Sequence, residues 1–96
     1  MKMVLVAYNE ALDGEMAALL ERNRVEGFTK WTRVFGQGRT SGPHLGTHVW
    51  PKANNLLAVV TDDDTARSLC DGVRELRKRL GRKGVKAFLI PCEEAT

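Results

Sequence analysis

A chain of 96 residues, 43% of them apolar and 28% charged, has the make-up of one folded domain. At this length roughly 64% of the unfolded surface can be buried, enough for one core and too little for a second domain or a triosephosphate-isomerase-type barrel. Fifteen Lys and Arg against twelve Asp and Glu leave a formal charge of +3, too small a bias to imply nucleic acid.

The longest apolar runs, Met3 to Tyr8 and Leu56 to Val60, are far short of the ~20 residues of a membrane span, which argues against membrane insertion. The start, Met1-Lys2-Met3-Val4-Leu5-Val6-Ala7-Tyr8, has one basic residue and no small-residue cleavage site after it, so it reads as a strand and not as a signal peptide. Two cysteines, Cys70 and Cys92, cannot build a disulfide framework. The expectation is a cytoplasmic protein, a single domain over residues 1–96, with two thiols.

Met3 to Tyr8 is nearly all apolar, the pattern of a central strand buried on both faces. Asn9 or Asp13 then caps a helix in which Leu12, Met16, Leu19 and Leu20 recur at helical spacing, and Gly27 interrupts the chain. Phe28 to Phe35 alternates bulky and polar residues as a second strand with neither face wholly polar. Gly36 to Asn55 has no period; it holds four Gly, two Pro and both His. Asn54 to Thr61 is a second hydrophobic strand. Asp62, Asp63 or Asp64 caps a long helix with Ala66, Leu69, Cys70, Val73, Leu76 and Leu80 on one stripe, ended by Gly81 and Gly84. Seven basic residues (Arg74, Arg77, Lys78, Arg79, Arg82, Lys83 and Lys86) gather at and beyond its C-terminal half, much of this being helix charge bias. Val85 to Ile90 is the last strand, stopped by Pro91, and Cys92 to Thr96 is a tail.

The order β-α-β-β-α-β with right-handed crossovers predicts a ferredoxin-like α+β sandwich, a four-stranded antiparallel sheet with two helices on one face. That leaves the other face bare. Val4, Val6, Trp31, Leu57 and Val59 are the residues expected on it, and oligomerisation is the expected cover. Cys70, on the helix stripe, reads as a buried structural thiol.

Such a fold hosts many functions, so the residues must choose among them. RNA recognition needs stacking aromatics on the central strands, and Met3 to Ala7 and Leu56 to Val60 carry none. Tyr8-Asn9-Glu10-Ala11 is no Cys-x-x-Cys metal-chaperone loop, and Asn9 to Glu15 contains no Arg to hold a phosphate for acylphosphatase-like chemistry. A small ferredoxin-like enzyme would have to use Ser41, His44 and His48, which share one loop with nothing fixing their geometry. The expectation is no enzyme. A better lead is Val34-Phe35-Gly36-Gln37-Gly38-Arg39, where two glycines at a strand end let backbone amides approach an anion. The bland alternative is a turn that needs positive φ.

Together with Gly27-Phe28-Thr29, Asn55-Leu56-Leu57-Ala58-Val59-Val60-Thr61-Asp62-Asp63 and Gly81-Arg82-Lys83-Gly84-Val85-Lys86-Ala87-Phe88, that turn resembles the PII signal-transduction family, the nitrogen regulatory proteins, over nearly the whole chain. The resemblance implies a homotrimer that holds an adenine nucleotide or another small effector in clefts between subunits, and a loop that docks on a partner such as a membrane transporter. Carried over, the phosphate contacts fall on Gly36, Gln37, Gly38, Arg39, Arg82, Lys83, Gly84 and Lys86, with Thr29 beside the adenine. The segment from Gln37 to Lys52 is shorter than the family's docking loop, and the family's C-terminal arginine pair has no counterpart. The closer resemblance is therefore to a short PII-like subgroup, some of whose members are associated with transporters or metal efflux, and weak ATP binding is expected. A small anion or a divalent metal stands as the alternative effector. For a metal, His44 and His48 would need further ligands from Cys92 and Glu93, or from a neighbouring subunit.

Overall fold

Strand β1, Lys2–Asn9, passes through a short 3-10 turn, Glu10–Leu12, into helix α1, Asp13–Arg22. Then come β2, Thr29–Val34; a two-residue ribbon of β3, Gln37–Gly38, and β4, Gly42–Pro43; β5, Asn54–Thr61; helix α2, Asp63–Leu80; and β6, Val85–Pro91. The computed structural model describes residues 1–38, 42–43, 53–81 and 84–96.

The sheet runs in the order β2-β5-β1-β6 with every neighbour antiparallel, so β1 and β5 are central and β2 and β6 are the edges. This is the ferredoxin-like α+β arrangement that the order of elements predicts. Both helices lie on one face. Alternation along the strands sends Val4, Val6, Tyr8, Leu57, Val59 and Val85 to that face, where they meet Met16, Leu19 and Leu20 of α1 and Ala66, Leu69, Val73 and Leu76 of α2. At the helix crossing, a Cβ on Gly72 would collide with Leu19 Cδ1, so the contact depends on glycine having no side chain.

The bare face differs from the one expected. Val4, Val6, Leu57 and Val59 are all buried under the helices, and of the five named residues only Trp31 is on the open side, 47% exposed. The open face carries the opposite phase in three cross-strand rows: Ile90, Met3 and Val60; then Phe88, Leu5, Ala58 and Thr29; then Lys86, Ala7, Leu56 and Trp31. Both phases of β1 and β5 are apolar, so periodicity could not say which one meets the helices.

The helix ends obey local chemistry that the sequence only partly exposes. Asn9 caps the 3-10 turn through Ala11 N–H at 2.9 Å, and α1 begins after it without a side-chain cap. At the other end Arg24 adopts φ 55 and Val25 N–H donates to Leu20 O at 3.0 Å, a Schellman ending three residues ahead of Gly27. Asp62 caps α2, its Oδ1 accepting from Thr65 N–H at 2.7 Å, and Gly81 closes it at φ 87. Leu80, expected on the buried stripe, is 42% exposed in the final turn, and Cys70 is only partly buried beside the core. Burial pushes the Cys70 thiol's pKa up.

Candidate functional site

Antiparallel pairing brings both glycine-containing turns to the same end of the sheet. Asn9 is opposite Asn54, Val34 is also opposite Asn54, and Tyr8 is opposite Val85. Gly36 to Gly38 therefore leaves this end from the β2 edge, and Gly84 enters it at the β6 edge. Gln37 and Gly38 pair through their backbones with Pro43 and Gly42. Gly36 is exposed, and Gly84 stands at φ 97 with its carbonyl oxygen accepting from Asn9 N–H. Lys86 projects from the open face with its Nζ 5.4 Å from the centre of the Phe88 ring, a cation-π distance. Thr29 is exposed on the same face at the opposite edge, three strand spacings or about 14 Å from the β6 row. Within one chain the two edges present separate halves of the predicted residue set.

Arg39, His44, His48, Arg82 and Lys83 lie outside the described residues. Cys92 follows β6 at the far end of the sheet, its N–H donating to Met1 O at 3.3 Å, with Glu93 exposed beyond it. Among the described residues no three His, Cys, Asp or Glu side chains come together as metal ligands.

A polar cluster that the sequence does not advertise stands at the site end, under the sheet. Asp13, the first residue of α1, receives hydrogen bonds from Tyr8 Oη at 2.6 Å, from Lys30 Nζ at 2.8 and 2.9 Å, and from Asn55 Nδ2 at 3.4 Å. Lys30, then Tyr8, hold the Asp13 carboxyl below the usual carboxylate range. Burial, reinforced by Asp13, pushes the Tyr8 hydroxyl up to about 12. Asn55, 4% exposed, accepts from Arg33 N–H at 3.3 Å where β2 bulges away from β5 between Trp31 and Val34. Arg33 sits there at φ 56, a left-handed conformation uncommon for a side-chain-bearing residue. The signal for this cluster was one buried-strand asparagine in an apolar run and an aspartate one turn beyond a tyrosine, too slight to find without coordinates.

Compared with solved structures, the fold is that of PII-like proteins. A structure of CPII from Thiomonas intermedia K12, bound to ADP, AMP and acetate, superposes with a TM-score of 0.73 at 16% identity over 93% of this chain and 82% of that one. CPII bound to ADP, AMP and bicarbonate, described as a nitrogen regulatory PII-like protein, gives 0.71 at 17% identity over 92% and 81%. The apo form of CPII gives 0.68 at 14% identity over 92% and 84%. No protein-family model and no curated protein matches the sequence. Among the described residues no helix is long and apolar enough to cross a membrane.

Proposed function

We propose that this chain is a PII-like regulator: a homotrimer that takes up an adenine nucleotide or a small anion in clefts between subunits and controls a partner such as a transporter. The observation that carries the reading is the likeness of fold to CPII in structures that hold ADP, AMP and bicarbonate. Three features of the chain support it. The open sheet face carries apolar side chains in each of its three rows, with Trp31, Val60, Phe88 and Ile90 exposed on it, a surface that calls for a cover. The predicted residues are divided between opposite edges of the sheet, so a ligand touching both sets is most simply held between two copies. Lys86 adds a cation beside a turn whose glycine lets a ligand approach the backbone.

In this reading Gly36 to Arg39 and Arg82 to Lys86 contact phosphate or bicarbonate, and Thr29 lies beside the base. The chain acts by binding and not by turnover, and its place is the cytoplasm, where nucleotide is supplied. Titration calorimetry with ADP, AMP, ATP and bicarbonate tests it. ADP or AMP is expected to bind more tightly than ATP, and Lys86→Ala to weaken ADP about tenfold or more, the loss of one charged hydrogen bond. Heat from none of the four ligands would refute it.

A further inference from the structure

Two successive peptide N–H groups at the end of β1 hold the ends of two different loops. Asn9 N–H donates to Gly84 O at 2.6 Å, and Glu10 N–H donates to Ala53 O at 3.0 Å. Ala53 is where the chain returns into β5, and Gly84 is where it enters β6. The departing end of the first of these loops is tied to the same short segment. Arg33 N–H is held by Asn55, which is bound in turn to Asp13, and the Arg33 guanidinium lies 4.0 Å from Glu10 Oε2. Three chain ends thus converge on five residues, Asn9 to Asp13. That segment is itself stiffened by the Asn9 cap and by Tyr8 and Lys30 on Asp13.

We propose that the Asn9–Asp13 elbow is a coupling element, which makes the backbone at Arg33, Ala53 and Gly84 shift or hold as one unit, with Asn55 as its positioning residue. The left-handed backbone at Arg33 gives the unit something to hold. Such a conformation costs free energy and persists only where its surroundings over-determine it. An effector that tightens the Gly84 turn therefore also tightens the base of the 35–53 segment, through two adjacent peptide groups of one rigid turn. The identity of that effector rests on the function proposed above; the coupling itself does not.

Amide hydrogen exchange followed by NMR on the full chain, without ligand, tests it. Glu10→Pro deletes the N–H that reaches Ala53. Asn9 already has φ −63 and ψ 135, the geometry favoured before proline, and the first residue of a helical turn tolerates proline. Glu10→Ala keeps the N–H and is the reference. The Asn9 and Arg33 amides should exchange about three- to tenfold faster in Glu10→Pro than in Glu10→Ala, the worth of one net hydrogen bond, while Val4 and Val59 stay unchanged. Equal rates in the two variants, or an acceleration spread evenly to Val4 and Val59, overturn the proposal. If Glu10→Pro does not fold, Asn55→Asp serves instead. It keeps an acceptor for Arg33 but faces Asp13 with a second carboxylate, and it must speed the Asn9 and Glu10 amides or the coupling is refuted. In a second arm, ADP at saturation should slow Asn9, Glu10 and Arg33 together. Slowing of Asn9 alone refutes the coupling, whereas an absence of ADP binding refutes the nucleotide reading and leaves the ligand-free comparison to decide.

Discussion

The Tyr8 hydroxyl donates to Asp13 Oδ1 across 2.6 Å, and the pair titrates in opposite directions. Asp13 is held below the usual carboxylate range by Lys30 first and by Tyr8 second. Its carboxylate therefore stabilises the fold above the unfolded carboxyl value, and that contribution is lost as pH falls through the lower folded value. Lys30→Met should lower stability at neutral pH and make the acid loss shallower as pH falls below the ordinary carboxyl value of about 4. Urea midpoints across that range check it; parallel acid limbs in the two proteins would show that Lys30 does not set the Asp13 carboxyl.

Tyr8 gives the alkaline counterpart. Its hydroxyl is pushed up to about 12, by burial first and then by Asp13. The folded state holds this proton more tightly than the unfolded one, so the contribution is complete below about pH 10 and is lost as pH rises towards 12. Tyr8→Phe should flatten the alkaline fall in melting temperature and cost about 1 kcal/mol at neutral pH. An unchanged alkaline limb would place its cause elsewhere.

Gly72→Ala sets helix propensity against packing. Alanine gains about 1 kcal/mol in a helix interior, but its methyl would collide with Leu19, which is 2% exposed and has little room to retreat. Overpacking costs about 1–3 kcal/mol, so after the propensity gain a net loss of up to about 2 kcal/mol is expected in denaturant unfolding. A stabilised variant would mean that the two helices separate freely.

The open sheet face makes a prediction about assembly. Leu5 is at its centre, opposite Ala58 on one side and Phe88 on the other, and is not part of the core under the helices. Light scattering should give the mass of three chains for the native protein and of one for Leu5→Glu, with helix content intact. A native protein that remains monomeric at micromolar concentration would contradict the trimer.

The order of elements was legible because each has its own punctuation: Gly27 beyond α1, Asp62 before α2, Gly81 after it and Pro91 at the end of β6. The phase of the strands was not. Val4 and Leu5 are equally apolar, and a uniformly apolar strand hides which half of its side chains meets the helices. At the site, the glycine turns announced themselves through backbone permissiveness. Asn55, Asp13 and the left-handed Arg33 did not, since their roles come from pairings 22 and 42 residues apart in the chain. The two-residue ribbon at Gln37–Gly38 and Gly42–Pro43 was too short to leave any periodic pattern.

A cleft shared by two subunits must be recoverable by mixing two inactive variants. Thr29→Glu alters the β2 edge and Lys86→Glu alters the β6 edge, so neither trimer should bind ADP in calorimetry. After the two are unfolded together and refolded in equal amounts, random assortment joins an intact β2 edge to an intact β6 edge in about a quarter of the clefts, and ADP binding should return to that extent. If both variants and their mixture are trimeric and the mixture still binds no ADP, the effector is not held between subunits and the account fails.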